Sequence, residues 1–144
     1  MRKARVLLVE DNPDDEALAL RALAKFDRDL QVDICRDGQE AVDYFFSNSK
    51  VNEELPALIL LDLKLPRLSG FDVLSRLKNE NLTRRIPVVL LTSSKEDQDR
   101  IDGYDLGANS FIRKPIDFHR FTQLIQQLGE YWLHTNEPPP EVNR

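Results

Sequence analysis

The chain has a single cysteine, Cys35, and therefore cannot form an internal disulfide bond. It also lacks an apolar N-terminal segment and any run of about 18 apolar residues, the usual signatures of export and of membrane insertion. We therefore expect a cytoplasmic protein with no membrane partner. Because Cys35 ends the strand-like segment Val32-Asp33-Ile34-Cys35, we predict that it packs in the core and is not a reactive thiol.

Basic residues are in the minority, with 20 lysines and arginines against 25 acidic residues and a formal net charge of -5. Phosphate backbones and anionic lipids would repel a chain with this balance, so we expect no nucleic-acid partner. A length of 144 residues is typical of one domain and is predicted to leave no room for a separate output domain. We assign residues 1–134 to this domain. Residues 135–144 contain three consecutive prolines and predict an extended or disordered tail.

Short apolar segments alternate with segments of helical periodicity. The strand-like segments are 5–10, 32–35, 57–61, 87–91 and 110–113, and the helix-like ones are 14–27, 38–48, 70–79, 95–106 and 117–133. This alternation predicts an α/β fold, a doubly wound (βα)5 unit with a five-stranded parallel sheet. Ligands of such sheets bind at the carboxyl ends of the strands, where strand order reverses.

The helical segments differ in how much apolar surface they offer for burial. The predicted buried face of the first consists of Ala17, Leu20, Leu23 and Ala24. That of the last consists of Phe118, Phe121, Ile125, Leu128 and Trp132. The fourth is mostly polar and contains Gly103, which weakens a helix by about 1 kcal/mol. We predict that it is either a mobile switching surface or simply a solvated face.

Polar side chains follow four of the predicted strands. Glu10 and Asp11 come after the first, Asp62 after the third, Thr92 at the end of the fourth and Lys114 after the fifth. Carboxyl ends of parallel strands meet at one edge of a sheet, so we expect these groups to lie together. Each alone could be a helix cap or a solvated side chain. Together they supply the acids, hydroxyl and ammonium of an Mg²⁺-assisted phosphoryl site.

The chemistry follows from these residue types. Mg²⁺ takes oxygen ligands and few protein carboxylates, which suits Asp11 and Asp62, with Glu10 acting directly or through water. A carboxylate can attack phosphorus and form an acyl phosphate if the charge on the transferring group is neutralised. Lys114 would supply part of that positive charge, and Thr92 would donate a hydrogen bond to a phosphoryl oxygen.

Four segments carry a resemblance to a known family: VLLVEDN at 6–12, LILLDLKLPRLSG at 58–70, VVLLTSS at 88–94 and FIRKP at 111–115. In order and spacing the chain closely resembles, over about residues 4–133, the receiver domain of two-component response regulators. The resemblance implies a flavodoxin-like receiver fold with strand order 2-1-3-4-5. It also implies that Asp62 is the phosphoacceptor and that Glu10 and Asp11 are its acidic metal-binding pair. The backbone carbonyl of Lys64 would complete the Mg²⁺ ligands.

By the same resemblance, Thr92 and Lys114 are the hydroxyl and ammonium that catalyse phosphorylation with Asp62. Thr92 and Phe111 would form the switch. The peptide bond between Lys114 and Pro115 is typically cis in this family. A homodimer through the fourth helix, fifth strand and fifth helix is also common there. We expect such a dimer because three apolar residues lie off the predicted core stripe of the last helix, namely Leu124, Tyr131 and Leu133.

The NPDDE stretch at 12–16, the PRLSG loop and the chain length resemble the single-domain regulators that pair with bacterial phytochrome histidine kinases. A histidine kinase of that type is therefore the predicted partner, approaching the phosphorylation edge near the first helix. Lys64 stands where that group often has asparagine, which bears on the lifetime of the phosphate.

Three alternative functions are disfavoured by the sequence. A haloacid dehalogenase phosphatase needs a second aspartate two residues after its nucleophile, where this chain has Lys64. A flavodoxin needs a phosphate-cradling loop after its first strand, and the acidic residues there would repel phosphate. A pseudo-receiver usually lacks the acidic pair, the acceptor or the lysine, and all are present. His119 and His134 lie beside no acid cluster, so we expect no phosphotransfer role for either.

Overall fold

The five apolar segments form one parallel sheet. The computed structural model describes residues 4–47, 54–115 and 117–140. Its strands are β1 (Arg5–Val9), β2 (Gln31–Cys35), β3 (Leu58–Leu61), β4 (Val88–Thr92) and β5 (Ser110–Arg113). They lie in the order β2-β1-β3-β4-β5, and each neighbouring pair is parallel. The predicted fold class and strand order are therefore confirmed.

The helices also lie where the periodicity places them. They are α1 (Pro13–Phe26), α2 (Gly38–Phe46), α3 (Gly70–Asn79), α4 (Asp97–Asp105) and α5 (Phe118–Gly129), with a π-helix (Glu130–Thr135) continuing α5. Thr135, predicted to begin the tail, is the last residue of the π-helix. Residues 136–140 contain no helix or strand, whereas residue 48 of the predicted second helix and residues 141–144 lie outside the described residues. Within the described ranges, no helix is both long and apolar enough to cross a bilayer.

The sheet separates two apolar layers. Leu7 and Val9 of β1 point to the face covered by α2 and α3, whereas Val6 and Leu8 point to the face covered by α1 and α5. Strands β1, β3 and β4 are buried on both faces, as their continuous apolar runs predict. Cys35 is buried in the first of these layers, which confirms its packing role.

The predicted buried face of α1 was wrong at Ala17 and Ala24, correct at Leu23, and Leu20 is partly buried. The residues of α1 that are buried are Ala19, Ala22 and Leu23, whereas Ala17 and Ala24 are exposed. Alanines occur on both sides of this helix, so its apolar stripe could be drawn in two ways. The packing of α1 against α5 and the sheet selects the stripe at positions 19, 22 and 23.

The last helix agrees with its predicted face only in part. Phe121, Ile125 and Leu128 are buried, but Phe118 is 48% exposed because it is the first residue of α5, ahead of the first buried turn. Leu124 and Leu133, predicted to lie off the core stripe, pack against the core instead. Tyr131 is 50% exposed, as its position off the stripe suggests.

Helix α4 is weakly anchored, as predicted, because Gly103 is its sole buried residue and its N-terminus has no side-chain cap. The glycine also has a role that propensity alone does not show. A Cβ at Gly103 would lie 2.7 Å from Leu90 Cδ1 and 3.3 Å from Phe111 Cδ2. The missing side chain therefore lets α4 approach β4 and β5 closely.

Candidate phosphoacceptor and metal site

Strand register brings the acidic residues to one edge. Val9 of β1 pairs with Leu61 of β3, so the next residues, Glu10 and Asp62, leave the sheet side by side. The Asp62 backbone N–H donates to Val9 O at 3.1 Å, and the Glu10 N–H donates to Cys35 O of β2 at 2.9 Å. These backbone bonds hold both carboxylates at the carboxyl end of the sheet.

Three carboxylates meet there, as the sequence predicted. One oxygen from each of Glu10, Asp11 and Asp62 can be chosen so that all lie within 4.8 Å of one another. Glu10 and Asp62 are buried, with 3% and 8% exposure, whereas Asp11 is exposed. An all-oxygen set open to solvent on one side fits Mg²⁺, which keeps several waters and takes few carboxylates.

Lys114 lies at the centre of the cluster. Its Nζ is 2.6 Å from Glu10 Oε1, 2.9 Å from Asp15 Oδ2 and 3.2 Å from Asp62 Oδ2. The side chain is only 9% exposed, so these are charge-assisted bonds with little competition from water. The Lys114 N–H donates to Thr92 O at 2.7 Å, which ties this residue to the end of β4.

Burial and charge set the protonation of the cluster. Burial raises the pKa of Glu10 to about 7, opposed by the hydrogen bond from Lys114 and assisted by the charge of Asp62. Burial by itself lowers the pKa of Lys114, but the bonds to Asp15 and Glu10 and the charge of Asp62 outweigh it and raise that pKa. The lysine is therefore an ammonium at neutral pH, and the carboxylates around it still favour a further cation.

The backbone after Asp62 is held in place by α3. Gly70, the first residue of α3, donates its N–H to Leu63 O at 2.8 Å, and a Cβ there would lie 2.2 Å from Asp62 O. Glycine at this position therefore lets α3 begin directly against the segment that follows Asp62. The Lys64 N–H is 3.4 Å from Asp62 Oδ1, and the lysine side chain is exposed. Metal binding by the Lys64 carbonyl stays a prediction.

Thr92 connects this edge to α4. It is fully buried, and its Oγ1 accepts the Ser94 N–H at 3.2 Å, which leaves the hydroxyl proton for another acceptor. Ser94 in turn donates its hydroxyl to Asp99 Oδ2 at 2.6 Å and accepts the Glu96 N–H at 3.2 Å. A movement of Thr92 would therefore be transmitted through Ser94 to the first turn of α4.

Phe111 of β5 lies between the core and the surface. Its ring is partly buried against the layer of α2 and α3, and its N–H donates to the Tyr104 hydroxyl at 3.2 Å. A groove of about 310 Å³ lies beside it, with Ser94, Arg100 and Arg113 among its walls. The switch role predicted for Phe111 stays a prediction, but space is available next to the ring.

The cis peptide bond expected between Lys114 and Pro115 is not found, because the structure has no cis peptide bond in the part of the chain that it describes. Trans is the lower-energy isomer by about 0.5–1 kcal/mol even before proline. With the trans bond, Lys114 still reaches Glu10 and Asp62.

The sequence interpretation missed two acids, Asp15 and Asp99. Both lie in the first turn of a helix that begins at this edge, and each contacts a residue that follows a strand. The position of Asp15, four residues after Asp11, was the available signal, because the first turn of α1 stays near the strand ends. The histidines lie elsewhere: His119 in α5, and His134 in the π-helix, 3.4 Å from Glu130.

Comparisons with known proteins agree with this geometry. The response regulator receiver domain matches residues 6–126. The chain is 37% identical over 134 residues to the probable methanogenesis regulatory protein FilR2 of Methanothrix harundinacea, covering 93% of this chain and 86% of that one. It is 35% identical over 131 residues to the response regulator Rcp1 of Synechocystis, covering 90% of this chain and 89% of that one.

Solved structures show the same similarity. The phosphorylated cyanobacterial phytochrome response regulator RcpA matches with a TM-score of 0.91 and 36% identity, covering 96% of this chain and all of that one. The Mn²⁺-bound form of Rcp1 matches with a TM-score of 0.88 and 34% identity, covering 95% and 99% of the two chains. The similarity to phytochrome response regulators thus spans nearly the whole length of the chain. The protein belongs to the family of response regulator receiver domains.

Proposed function

We propose that this signalling protein accepts a phosphoryl group from a histidine kinase onto Asp62, in a reaction that requires Mg²⁺. The observation that carries the proposal is the meeting of three carboxylates and the Lys114 ammonium at one edge of the sheet. The protein would catalyse its own phosphorylation and slow dephosphorylation, acting on no other substrate. We place this reaction in the cytoplasm, where ATP is available to phosphorylate the kinase.

In the transfer, an Asp62 carboxylate oxygen forms a bond to phosphorus while the bond from phosphorus to the histidine nitrogen of the donor breaks. Lys114 neutralises charge on the phosphoryl oxygens, and the Thr92 hydroxyl donates a hydrogen bond to one of them. Glu10, Asp11, Asp62 and the Lys64 carbonyl would hold Mg²⁺, which supplies further positive charge when bound. The Mn²⁺-bound form of the relative Rcp1 supports a divalent ion at this site.

The output would be a change in the surface formed by α4 and β5. A movement of Thr92 towards the phosphoryl group would pull on Ser94 through their hydrogen bond. The Ser94 hydroxyl is in turn hydrogen-bonded to Asp99 in the weakly anchored α4. Phe111 would then change its exposure beside the groove. Beryllofluoride, a phosphoryl mimic, should shift the NMR signals of Thr92, Phe111 and α4. Unmoved signals there would contradict the switch.

The proposed donor is a bacterial phytochrome histidine kinase. Support comes from RcpA, a phytochrome response regulator that this chain matches along almost all of its length. FilR2, a relative of similar identity, is named for methanogenesis, so receivers this similar serve more than one pathway. The kinase would approach the acidic edge beside α1, where Asp11 is exposed.

The function is tested by incubating the protein with acetyl phosphate and Mg²⁺ and measuring the mass of the intact chain by mass spectrometry. We expect a gain of one phosphoryl group per chain, no gain when a chelator removes the metal, and recovery when Mg²⁺ is restored. A chain that gains no mass at saturating donor and metal would contradict the proposal.

We also propose a homodimer through α4, β5 and α5. Three large apolar side chains on the helices of this proposed interface are each about half exposed: Ile101 and Tyr104 in α4, and Phe118 in α5. Leu124 is unsuitable as a probe because it packs against the core. Ile101 and Tyr104, three residues apart in α4, are neighbours on its surface, and exposed apolar groups of this size are typical of interfaces.

Light scattering should therefore give the mass of a dimer for the wild type and that of a monomer for the Ile101→Glu, Phe118→Glu variant. Ala24→Glu, at an exposed position of α1 outside the proposed interface, is the control and should stay dimeric. A wild-type monomer at every accessible concentration, with and without phosphate, would rule out the dimer.

A further inference from the structure

We infer that Asp15 is a positioning residue for phosphoryl transfer, because it holds the Lys114 ammonium over Asp62. The inference rests on the proposed function, since it gives Asp15 a part in that reaction. Asp15 Oδ2 lies 2.9 Å from Lys114 Nζ, closer than the 3.2 Å that separates this nitrogen from Asp62 Oδ2. Asp15 is thus one of three carboxylates that share a nearly buried ammonium.

An ammonium group has three N–H donors, and Lys114 uses one for each carboxylate. Asn12, the N-cap of α1, contacts both neighbours of the ammonium, holding the Glu10 carboxylate and the backbone of Asp15. The Asn12 N–H donates to Glu10 Oε2 at 3.1 Å, and the Asn12 side chain accepts the Asp15 N–H at 3.2 Å. With two donors held in this way, the third points at Asp62.

This arrangement also suits a phosphorylated acceptor. When Asp62 carries a phosphoryl group, the third donor can pass to a phosphoryl oxygen while Glu10 and Asp15 keep the other two. A lysine side chain is long and flexible, so fixing it costs conformational entropy unless neighbours already hold it. Charges that are placed before the reaction stabilise the transferring group without reorganisation.

The position of Asp15 in the fold explains why it can act on Lys114. Lys114 follows β5, an edge strand, whereas Asp15 lies in the first turn of α1, which follows β1 inside the sheet. Their bond spans the carboxyl edge between these elements. Asp14, the preceding residue, carries the same charge but is exposed. It provides a matched control for the loss of one negative charge near the site.

The test compares the wild type with Asp15→Ala, Asp14→Ala and Asp15→Glu. Phosphorylation is followed by mass spectrometry at saturating Mg²⁺ over a range of acetyl phosphate concentrations. We expect the maximal rate of Asp15→Ala to fall about tenfold, the effect of losing one charge-assisted hydrogen bond. Asp14→Ala should stay within about twofold of the wild type, as expected for an exposed charge, and Asp15→Glu should recover part of the rate.

A second measurement needs neither phosphate nor metal. In ¹⁵N-labelled protein, the Lys114 side-chain ammonium should exchange slowly and give an NMR signal in the wild type and in Asp14→Ala. Asp15→Ala should lose that signal. An unchanged ammonium signal in Asp15→Ala, or a phosphorylation rate equal to that of Asp14→Ala, would overturn the inference. If the wild type takes up no phosphate, the proposed function fails, while the ammonium signal still decides whether Asp15 holds Lys114.

Discussion

Asp62→Asn is expected to lose phosphorylation by acetyl phosphate and Mg²⁺, with a rate at least about a hundredfold below that of the wild type. The amide oxygen is a poor nucleophile, and the amide group carries no charge to bind the metal. The fold should survive, because asparagine has the same shape and its single amide oxygen can still accept from Lys114, so that only the long bond from the Lys64 N–H is lost. Mass spectrometry after timed incubation measures the rate.

Asp14→Asn is the matched control for this variant. It also removes one negative charge near this edge of the sheet, but from an exposed side chain in the first turn of α1. Its phosphoryl yield should stay close to that of the wild type. A normal yield in Asp62→Asn, with circular dichroism showing a native fold, would mean that another residue accepts the phosphate.

Replacing Lys114 with methionine should destabilise the metal-free protein by about 3 kcal/mol. The change removes the ammonium between Glu10, Asp15 and Asp62. Glu10, whose pKa is already raised to about 7, must then take up a proton, and the buried Asp62 charge loses its partner. Saturating Mg²⁺ should recover most of this loss, because a cation that binds only the folded state stabilises it. Urea unfolding at neutral pH, with and without Mg²⁺, gives both free energies of unfolding.

Lys25→Met is the control for the lysine, because Lys25 is exposed at the end of α1. Its free energy of unfolding should change by no more than about 0.5 kcal/mol, and Mg²⁺ should affect it as it affects the wild type. If, in the absence of metal, Lys114→Met unfolds at the same urea concentration as this control, the folded protein does not need the ammonium to stabilise the carboxylates, and the prediction is wrong.

The sheet and its acidic edge could be predicted because they depend on local patterns. Continuous apolar runs identify strands buried on both faces, and a polar residue directly after each run must lie at the edge where parallel strands end. Glu10, Asp62 and Lys114 needed no further information to be placed together. Their meeting in the structure confirms this part of the interpretation.

What could not be predicted depends on contacts between distant elements. The buried stripe of α1 is chosen by its packing against α5, and alanines on both sides left the sequence ambiguous. Leu124 and Leu133 were expected at the surface, but both pack against the core, Leu124 from α5 and Leu133 from the π-helix. Asp15 was overlooked because it lies in the first turn of α1 and not directly after a strand, so its contact with Lys114 depends on how the helix begins.

Locating the phosphate on the chain tests the central claim most directly. The wild type would be treated with acetyl phosphate and Mg²⁺, the acyl phosphate reduced with borohydride, and the modified residue identified by peptide sequencing in a mass spectrometer. The geometry of the acidic edge predicts one modified residue, Asp62, and none without Mg²⁺. Reduction at Asp11 or at any other carboxylate, with Asp62 left intact, would contradict it.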